Sequence, residues 1–561
     1  MRLYSQWHVC FRPGEEYLLK MTWEDFIKFC TPELKSEDFI EQITEYGYFA
    51  EQFPSCYSSK LFASQIDKLL PFTQNIKNQK NKQKTSSITS PTTLSVRKDD
   101  ISRRIISLPN PKAFLRLSKL MQENWEEIQN YAKSRHSLSP ITYIHKYSDT
   151  GKKAMLNSEN IRESIRSKSD FIEGIKNCIK TALGYKYRLK IDIANCYTSI
   201  YTHSVAWAIC GKNEAKKYLF TKNPEKLKDT YELADKLDAF IRFQKNNETN
   251  GIVVGPFTSR IFSEIILSAI DKQLAKKKYI FRRYVDDYKF YFRSETQAKE
   301  SIFQIERVLN EFGLHLNTAK TDISCYPFEI ISQMKQIYEK ALESEGVFGV
   351  LNAASHLYTN GEKGAYKYAL KFIRDKEPSY EDFGIIMSSL INILLLEPKY
   401  GKHVITYIKK HIHKWNQDIV AELINRELSI SICDELQQEA LIFLQIIREL
   451  EVSLSAENLI KIILCSNDFA TIIALDIWKN RKKSIKRTKS QATKIKKAIE
   501  QLSVELKGEG YSGARWLLLH EIRIHNLMDK KVLPTPSKDE FFEKLHECQV
   551  SFYQSVSPKL Y

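Results

Sequence analysis

The sequence predicts a mixed α/β (α+β) region in the middle of the chain, followed by an all-α, repeat-like C-terminal half. Residues 185–193 and the two segments on either side of 285–287 are short β-branched and aromatic runs, which is the pattern of strands. Beyond about residue 330, apolar residues recur at the helical spacings of three and four, as in Leu423, Ile424 and Leu428. Glycine and proline number only 18 and 16 in 561 residues, which disfavours a turn-dense all-β architecture and a Gly-rich nucleotide loop.

The charge balance indicates a polyanionic partner. Lys and Arg number 85 against 68 Asp and Glu, so the formal net charge is +17. Much of this excess lies in two segments that contain no acidic residue: residues 72–98 hold six basic residues, and residues 479–497 hold ten. Each segment is either a contact for a single DNA strand or a solvated loop.

Cysteine usage and hydropathy predict a soluble cytoplasmic protein without membrane contact. The ten cysteines are scattered and form no Cys-x-x-Cys pair, which is typical of free thiols in a reducing compartment and gives no zinc site. The N-terminus lacks a charged segment followed by an apolar one, and the longest apolar run, 384–396, is too short to span a bilayer.

Changes in composition predict three domains. Residues 1–98 are expected to form an N-terminal helical extension and a polar, basic linker, because residues 73–95 have too few apolar side chains to offset their ordering entropy. Residues 99–330 hold the predicted strands. Residues 331–561 are expected to form the helical, repeat-like domain.

The residues that indicate chemistry are acidic. Asp286 and Asp287 are flanked by aromatic and β-branched residues, which predicts a tight hairpin with this pair at or beside its turn. Upstream, residues 187–193 alternate as a strand and place Asp192 on its polar face beside Lys190. Adjacent like charges are rarely kept for stability, so three converging carboxylates predict bound Mg²⁺. Two such ions activate a 3′-hydroxyl and stabilise a pyrophosphate leaving group. For the Asp-Asp pair alone, the alternative is a solvated β-turn.

The order of these segments resembles a known family, the reverse transcriptases. The similar segments are RIISLPNP (104–111, the fingers motif), DIANCYTSIYTH (192–203, the first catalytic motif), NGIVVGPFTSR (250–260, the second), YVDD (284–287, the third) and LNTAKT (316–321, the fourth). The resemblance covers about residues 100–325. It implies a right-hand polymerase fold, with fingers and palm in residues 99–330 followed by the helical domain.

The resemblance also implies the metal and nucleotide ligands. Asp192, Asp286 and Asp287 would hold two Mg²⁺ ions, with Mn²⁺ as an alternative, and the backbone carbonyl of Ile193 would add an oxygen. Lys320 would donate a proton to the pyrophosphate leaving group or neutralise its charge. An alternative for Lys320 is a solvated lysine.

Three further positions correspond to nucleotide contacts in that family. Arg104 would contact the triphosphate, and Gly255 lies in the second motif, which borders the incoming nucleotide. Tyr197 would abut the sugar at its 2′ position and exclude a 2′-hydroxyl, or it is a core aromatic. Templated reverse transcriptases usually read Pro-Gln-Gly where this chain has Val253-Val254-Gly255. The missing glutamine favours untemplated synthesis.

The flanking residues are most similar to the bacterial abortive-infection reverse transcriptases, the AbiK/AbiA-like anti-phage group. What this resemblance implies is template-independent DNA polymerisation from dNTPs, started on a protein tyrosine, with the single-stranded DNA product covalently attached. A homo-oligomer and a phage-encoded trigger are implied as partners. Tyr46, Tyr48 and Tyr57 are candidates for the priming residue by region alone.

Two other functions stay open at the level of sequence. One is a templated, retron-like RNA-directed DNA polymerase, although no maturase-like or endonuclease-like extension is visible. The other is a nucleic-acid-binding scaffold whose polymerase fold is inert, against which the three intact aspartates argue.

Overall fold

The structure is a computed structural model of the chain. It describes residues 35–73, 88–99, 101–139, 171–219, 229–328, 333–379, 381–411, 413, 416–465, 467–481, 485–529, 532–534, 536 and 538–555. The start of the predicted N-terminal extension and most of the predicted linker therefore lie outside the described residues. Within the described ranges, no helix combines the length and the apolar character needed to cross a membrane.

A two-stranded hairpin, surrounded by helices, forms the fingers. Strands β1 (Thr92–Arg97) and β2 (Arg103–Leu108) pair antiparallel. The surrounding helices are α1 (Ser36–Gly47), α2 (Lys60–Ala63), α3 (Ile66–Leu69), α4 (Pro111–Glu123) and α5 (Trp125–Ala132). The predicted boundary between residues 98 and 99 falls at the turn of this hairpin, so β1 belongs to the predicted linker and β2 to the predicted polymerase domain. Polar residues alternate with the buried Leu94 and Val96, so the end of the expected linker is a half-buried strand.

The palm is a four-stranded antiparallel sheet in the order β4-β5-β3-β6. Its strands are β3 (Tyr187–Asp192), β4 (Phe281–Tyr284), β5 (Asp287–Phe292) and β6 (Asp322–Cys325). The predicted strand before Asp192 and the predicted hairpin are both confirmed. One face of the sheet buries Leu189, Ile191 and Phe290, whereas the opposite face carries charged side chains, as the two-residue period of a strand requires.

Helices enclose the buried face of the palm. They are α6 (Phe171–Thr181), α7 (Cys196–Ser199), α8 (Ser204–Cys210), α9 (Lys212–Leu219), α10 (Asp229–Phe243), α11 (Phe257–Lys276) and α12 (Glu295–Asn310), followed by a 3-10 turn at Thr318–Lys320. The most buried of these is α11, which packs against α1, α5 and α8. Its apolar residues join the same hydrophobic core as the sheet.

The C-terminal half is almost wholly helical, as predicted. Its helices are α13 (Met334–Thr359), α14 (Ala365–Ile373), α15 (Phe383–Leu396), α16 (Gly401–Lys410), α17 (Gln417–Cys433), α18 (Gln437–Leu450), α19 (Ala456–Ile463), α20 (Asp468–Asn480), α21 (Lys489–Glu505), α22 (Trp516–Ile524) and α23 (Glu540–Glu547). Two short strands, β7 (Leu454–Ser455) and β8 (Ile485–Lys486), pair parallel. Neighbours in sequence pack together, notably α13 with α14 and α17 with α18. The basic segment 479–497 includes the start of α21, where its lysines are exposed.

The helical half packs directly on the fingers hairpin. The amides of Ser95 and Arg97 donate to the side chains of Gln437 and Gln438, at 2.8 and 2.9 Å. Arg103 forms two hydrogen bonds with the carboxylate of Glu439, at 3.0 and 2.8 Å. The N-terminal helices, the palm and the helical half also share one hydrophobic core. The three predicted segments therefore meet in extensive contacts.

Substituting Gly47 by alanine is expected to destabilise the protein. A Cβ atom at this position would lie 2.8 Å from Cβ of Phe257, at the contact between α1 and α11. Such overpacking costs about 1–3 kcal/mol of the free energy of unfolding. Chemical denaturation measures the change. The matched control is Gly384→Ala, because a Cβ at Gly384 in α15 meets nothing within 4 Å. Equal effects of the two substitutions would contradict a close contact between α1 and α11 at Gly47.

Candidate active site

Asp192 and Asp287 face each other across the palm as register partners on β3 and β5. The carbonyl of Asp192 accepts a hydrogen bond from the amide of Asn317 at 2.8 Å, so its backbone polar groups point away from β5. The two aspartates are therefore a non-hydrogen-bonded pair, the cross-strand pair in which side chains lie closest. Like charges in this arrangement destabilise a sheet. The sheet thus brings together two of the predicted carboxylates at one point.

Asp286 lies in the turn between β4 and β5. Tyr284 pairs with Asp287, which leaves only Val285 and Asp286 to reverse the chain. Val285 has a φ of 55°, in the left-handed region, which is costly for a β-branched residue. Strain of this kind costs about 1–3 kcal/mol and persists only where the surroundings impose it. Here the surroundings include Arg283, whose guanidinium donates to the carbonyl of Val285 at 2.8 Å.

The electrostatics of Asp286 and Asp287 reflect their burial and the proximity of the other carboxylates. Burial raises the pKa of Asp286, and the charges of Asp287 and Asp192 raise it further, while Arg104 opposes them. Burial also raises the pKa of Asp287, and the charge of Asp192 adds to that shift. Lys190, Lys320 and Lys289 act in the opposite direction on Asp287. A dication between these carboxylates would favour their ionised forms and so offset both the burial and the mutual repulsion.

Asp192 has donors of its own. The side-chain amide of Asn317 donates to its carboxylate at 2.8 Å, and the ammonium of Lys320 lies 3.5 Å from the same oxygen. Among the described residues, no group of three or more His, Cys, Asp or Glu side chains is arranged as a metal site. The chemistry nevertheless fits a magnesium site, because three mutually repelling carboxylates at one end of the two central strands are hard oxygen ligands. In this structure the carboxylate of Asp192 is hydrogen-bonded to Asn317 and ion-paired with Lys320.

The backbone carbonyl of Ile193 points to the same side as the two other aspartates. Ile193 is bridged to Leu316, and the hydrogen bonds of that bridge are made by its neighbours Asp192 and Ala194. Because carbonyl directions alternate along a strand, that of Ile193 faces the β5 side. This is the placement that a metal-binding carbonyl would need.

Tyr197 follows the strand in the short helix α7. Its carbonyl accepts a hydrogen bond from the amide of Ile252 at 3.0 Å, which ties the first motif to the second. Burial raises the pKa of Tyr197 to about 12, and the charge of Asp286 contributes to the shift. The phenol is therefore neutral at physiological pH and lies within electrostatic range of the site.

The fingers reach the site through Arg104, and the second motif packs on the same strand. Arg104 is exposed on β2, and its positive charge partly offsets the rise in the pKa of Asp286. The amide of Ser107, also on β2, donates to the carbonyl of Val254 at 2.7 Å. Gly255 has a φ of 141°, and a Cβ there would lie 3.0 Å from the carbonyl oxygen of Ser107. A contact within the protein therefore accounts for the glycine at this position.

The three tyrosines considered for priming are placed in the core or against it. Tyr48 is fully buried, and its hydroxyl donates to the carbonyl of Pro109 at 2.6 Å. Tyr57 is also buried, with its hydroxyl donating to the carbonyl of Phe469 at 2.6 Å. Tyr46 is half-buried and packs against the same core. The hydroxyls of Tyr48 and Tyr57 are therefore buried and bonded to backbone carbonyls.

The sequence analysis missed the residues that hold the turn. Arg283 is fully buried and binds Glu264 and Asp271 of α11. Two signals were visible: Arg283 occupies an inward position of β4 with the same parity as Phe281, and the two acids stand seven residues apart in an apolar helix. Asn317 lies in the fourth motif, but its hydrogen bond to the carboxylate of Asp192 was not predicted from the sequence.

Residues 96–354 match the family described as reverse transcriptase (RNA-dependent DNA polymerase). The match contains β2, the four strands of the palm and all three aspartates, whereas most of β1 precedes it. The predicted fold class, polymerase fingers and palm followed by a helical half, is confirmed. The family match supports nucleotide-polymerising chemistry but does not support a specific subgroup. No curated protein matches the chain.

Solved telomerase structures are among those similar to this chain. Apo telomerase from Candida tropicalis truncated from its C-terminal domain is 16% identical, with a TM-score of 0.28 over 44% of this chain and 51% of that one. Telomerase from Candida albicans with the TWJ fragment of telomeric RNA is 14% identical, with a TM-score of 0.26 over 70% of this chain and 68% of that one. The chain thus spans about half the length of the truncated C. tropicalis protein.

The raised pKa values predict how the metal-free protein responds to pH. The folded state disfavours the ionised form of Asp286, so ionisation of this residue lowers the free energy of unfolding at pH values above its raised pKa. Below the ordinary aspartate pKa of 3.8 the residue is protonated in both the folded and the unfolded state, and the destabilisation disappears. In EDTA, Asp286→Asn is expected to unfold at a higher temperature than wild type at about pH 7, and the difference shrinks towards about pH 4.

The control carries the opposite sign. Lys410 holds the pKa of Asp375 below its usual value, so Asp375→Asn loses stability at about pH 7 and the loss fades as pH falls. Calorimetry of both variants across this range checks the prediction. A destabilised Asp286→Asn at neutral pH without metal would refute the electrostatic description of the site.

Proposed function

We propose that the protein is a Mg²⁺-dependent DNA polymerase of the reverse-transcriptase type that acts without a template and starts DNA synthesis on its own chain. The observation that carries the proposal is the cross-strand pair of Asp192 and Asp287 beside Asp286, in a domain that matches reverse transcriptases. These carboxylates repel one another in the absence of a cation, and nucleotidyl transfer is chemistry that uses divalent cations held by carboxylates.

Each residue of the site has a role in this proposal. Asp192, Asp286, Asp287 and the carbonyl of Ile193 hold two Mg²⁺ ions, for which Mn²⁺ can substitute. When bound, the ions activate the attacking hydroxyl and stabilise the charge of the pyrophosphate leaving group. Lys320, which is more than half exposed at 57% and lies beside Asp192, protonates or neutralises that leaving group. Arg104 contacts the triphosphate from the fingers side.

Synthesis without a template is favoured by the second motif. The position of the usual glutamine is Val254, whose carbonyl is hydrogen-bonded to β2 and whose side chain packs against the core. An apolar side chain there offers no hydrogen bond to a template base. Templated, RNA-directed synthesis is the alternative within the same enzyme class, and a product that copies the sequence of an added RNA would favour it.

The biological role follows from the resemblance of the flanking motifs. We propose that the protein acts in abortive-infection defence against phage, as a homo-oligomer in the bacterial cytoplasm, in response to a phage-encoded trigger. Plaque counts on a bacterial host that expresses the wild type or Asp286→Asn test this role. Equal protection by the two proteins would reject a role based on catalysis and favour a binding scaffold.

Purified protein supplied with Mg²⁺ and labelled dNTPs, without primer or template, is expected to acquire label that survives denaturing electrophoresis. The double substitution Asp286→Asn, Asp287→Asn should abolish labelling, because it removes the charges that hold the ions. Lys299→Gln, in an exposed ion pair of α12, is the control and should leave labelling intact. Mass spectrometry of the wild type then identifies the residue that bears the DNA. Label that dissociates on denaturation would argue against a protein primer.

Replacing Tyr197 is expected to alter sugar selection. With Tyr197→Ala the space beside the sugar opens, so the ratio of kcat/KM for dNTP over rNTP should fall about 10-fold or more. Tyr197→Phe is the matched control, since it keeps the ring and should preserve the ratio. The measurement is single-nucleotide incorporation with each sugar. If the alanine variant loses activity equally with both nucleotides, Tyr197 has only a packing role.

A further inference from the structure

We propose that Arg283 is a positioning residue: buried beneath the palm, it holds the strained turn so that Asp286 and Asp287 present their carboxylates to the metal ions. The inference rests on the proposed function and adds a device that acts from the opposite face of the sheet. It assigns a role to Glu264 and Asp271 as well, since they fix the guanidinium that fixes the turn.

The contacts of Arg283 use its guanidinium fully. Nη1 and Nη2 donate to the carboxylate of Glu264 at 3.0 and 2.8 Å. Nε and Nη2 donate to the carboxylate of Asp271 at distances from 2.8 to 3.1 Å. The same Nη1 donates to the carbonyl of Val285 at 2.8 Å. A planar, five-donor guanidinium can meet these acceptors together, whereas an ammonium presents a point charge.

The acidic partners are themselves held in place. Tyr288 and Ser134 donate from their hydroxyls to Asp271 at 2.9 and 2.6 Å. Arg283, Glu264 and Asp271 have exposed side-chain fractions of 0%, 2% and 1%, so solvent cannot substitute for any of these partners. A buried network that is fully hydrogen-bonded has one favourable arrangement, which rigidifies its surroundings.

The backbone of Arg283 is fixed by a neighbouring segment. Its amide donates to the carbonyl of His136 at 2.9 Å, and its carbonyl accepts from the amide of Leu138 at 2.7 Å. The strand that leads into the turn is therefore anchored in its backbone and in its side chain. In the turn itself, the hydrogen bond from the guanidinium of Arg283 to the carbonyl of Val285 opposes relaxation of the left-handed φ of Val285.

The test measures Mn²⁺ affinity of the full-length protein by electron paramagnetic resonance, without nucleotide. Arg283→Lys is expected to weaken binding about 10- to 100-fold, as loss of a partner that orients metal ligands does. Glu264→Gln should weaken binding in the same direction by a smaller factor. Nucleotide incorporation by Arg283→Lys should also require more Mg²⁺ for half-maximal rate, with partial recovery at saturating Mg²⁺.

The matched control is Arg448→Lys in the helical half. Arg448 is likewise buried and bonded to Tyr553 and Glu449, at 3.0 and 2.6 Å. This variant should lose stability but keep wild-type Mn²⁺ affinity. If Arg283→Lys fails to fold, Glu264→Gln decides the matter, because it keeps the shape of the side chain. Unchanged affinity in a folded variant of Arg283 or Glu264 would overturn the inference.

A second measurement separates positioning from general destabilisation. Glycine adopts a left-handed φ without steric cost, so in a Val285→Gly background the turn needs less restraint. Arg283→Lys should then weaken Mn²⁺ binding by a smaller factor than it does beside valine. Equal factors in both backgrounds would reject the link between Arg283 and the turn. If wild type binds no more Mn²⁺ than Asp286→Asn, the proposed function itself fails, and the positioning role fails with it.

Discussion

The repulsion among Asp192, Asp286 and Asp287 is the constraint on which the rest of the palm depends. Register places two of these acids opposite each other, and a two-residue turn places the third beside them. Such an arrangement weakens a sheet unless positive charge is near. On the open face, the nearest compensation for Asp287 comes from Lys190, Lys289 and Lys320. Lys190 and Lys289 are themselves register partners, two residues along from the acidic pair, so the sheet alternates pairs of opposite sign.

On the buried face of the sheet, hydrogen bonds hold the turn that carries the mutually repelling aspartates. Buried ion pairs contribute little net stability, because desolvation offsets their attraction. The network of Arg283, Glu264 and Asp271 is therefore better explained by the arrangement it enforces than by the stability it adds. It lies directly under the turn whose Val285 has a left-handed φ. Lysine charges on the open face thus act on the carboxylate of Asp287, while a hydrogen bond from the buried face holds the backbone of the adjoining turn.

Local patterns predicted the hairpin, the strand before Asp192 and the helical half, because each depends on periodicity within a short segment. Contacts between distant segments were harder to predict. The partners of Arg283 lie 12 and 19 residues away on a helix, although the pair of acids seven residues apart could have indicated a buried cation. The hydroxyls of Tyr48 and Tyr57 are bonded to the carbonyls of Pro109 and Phe469, which are distant in sequence, and nothing local distinguishes these tyrosines from exposed ones.

The fingers hairpin shows why the helical half matters to a site that it supplies with no carboxylate. A two-stranded hairpin is marginally stable alone. Here the outward amides of β1 are satisfied by Gln437 and Gln438, and Arg103 of β2 is bound by Glu439. The residue that follows it in β2 is Arg104, whose charge reaches Asp286. Because adjacent side chains of a strand point to opposite faces, holding Arg103 against α18 directs Arg104 to the other side. The helical half thereby holds the strand that carries a positive charge within electrostatic range of Asp286, and the site depends on it through the backbone of that strand.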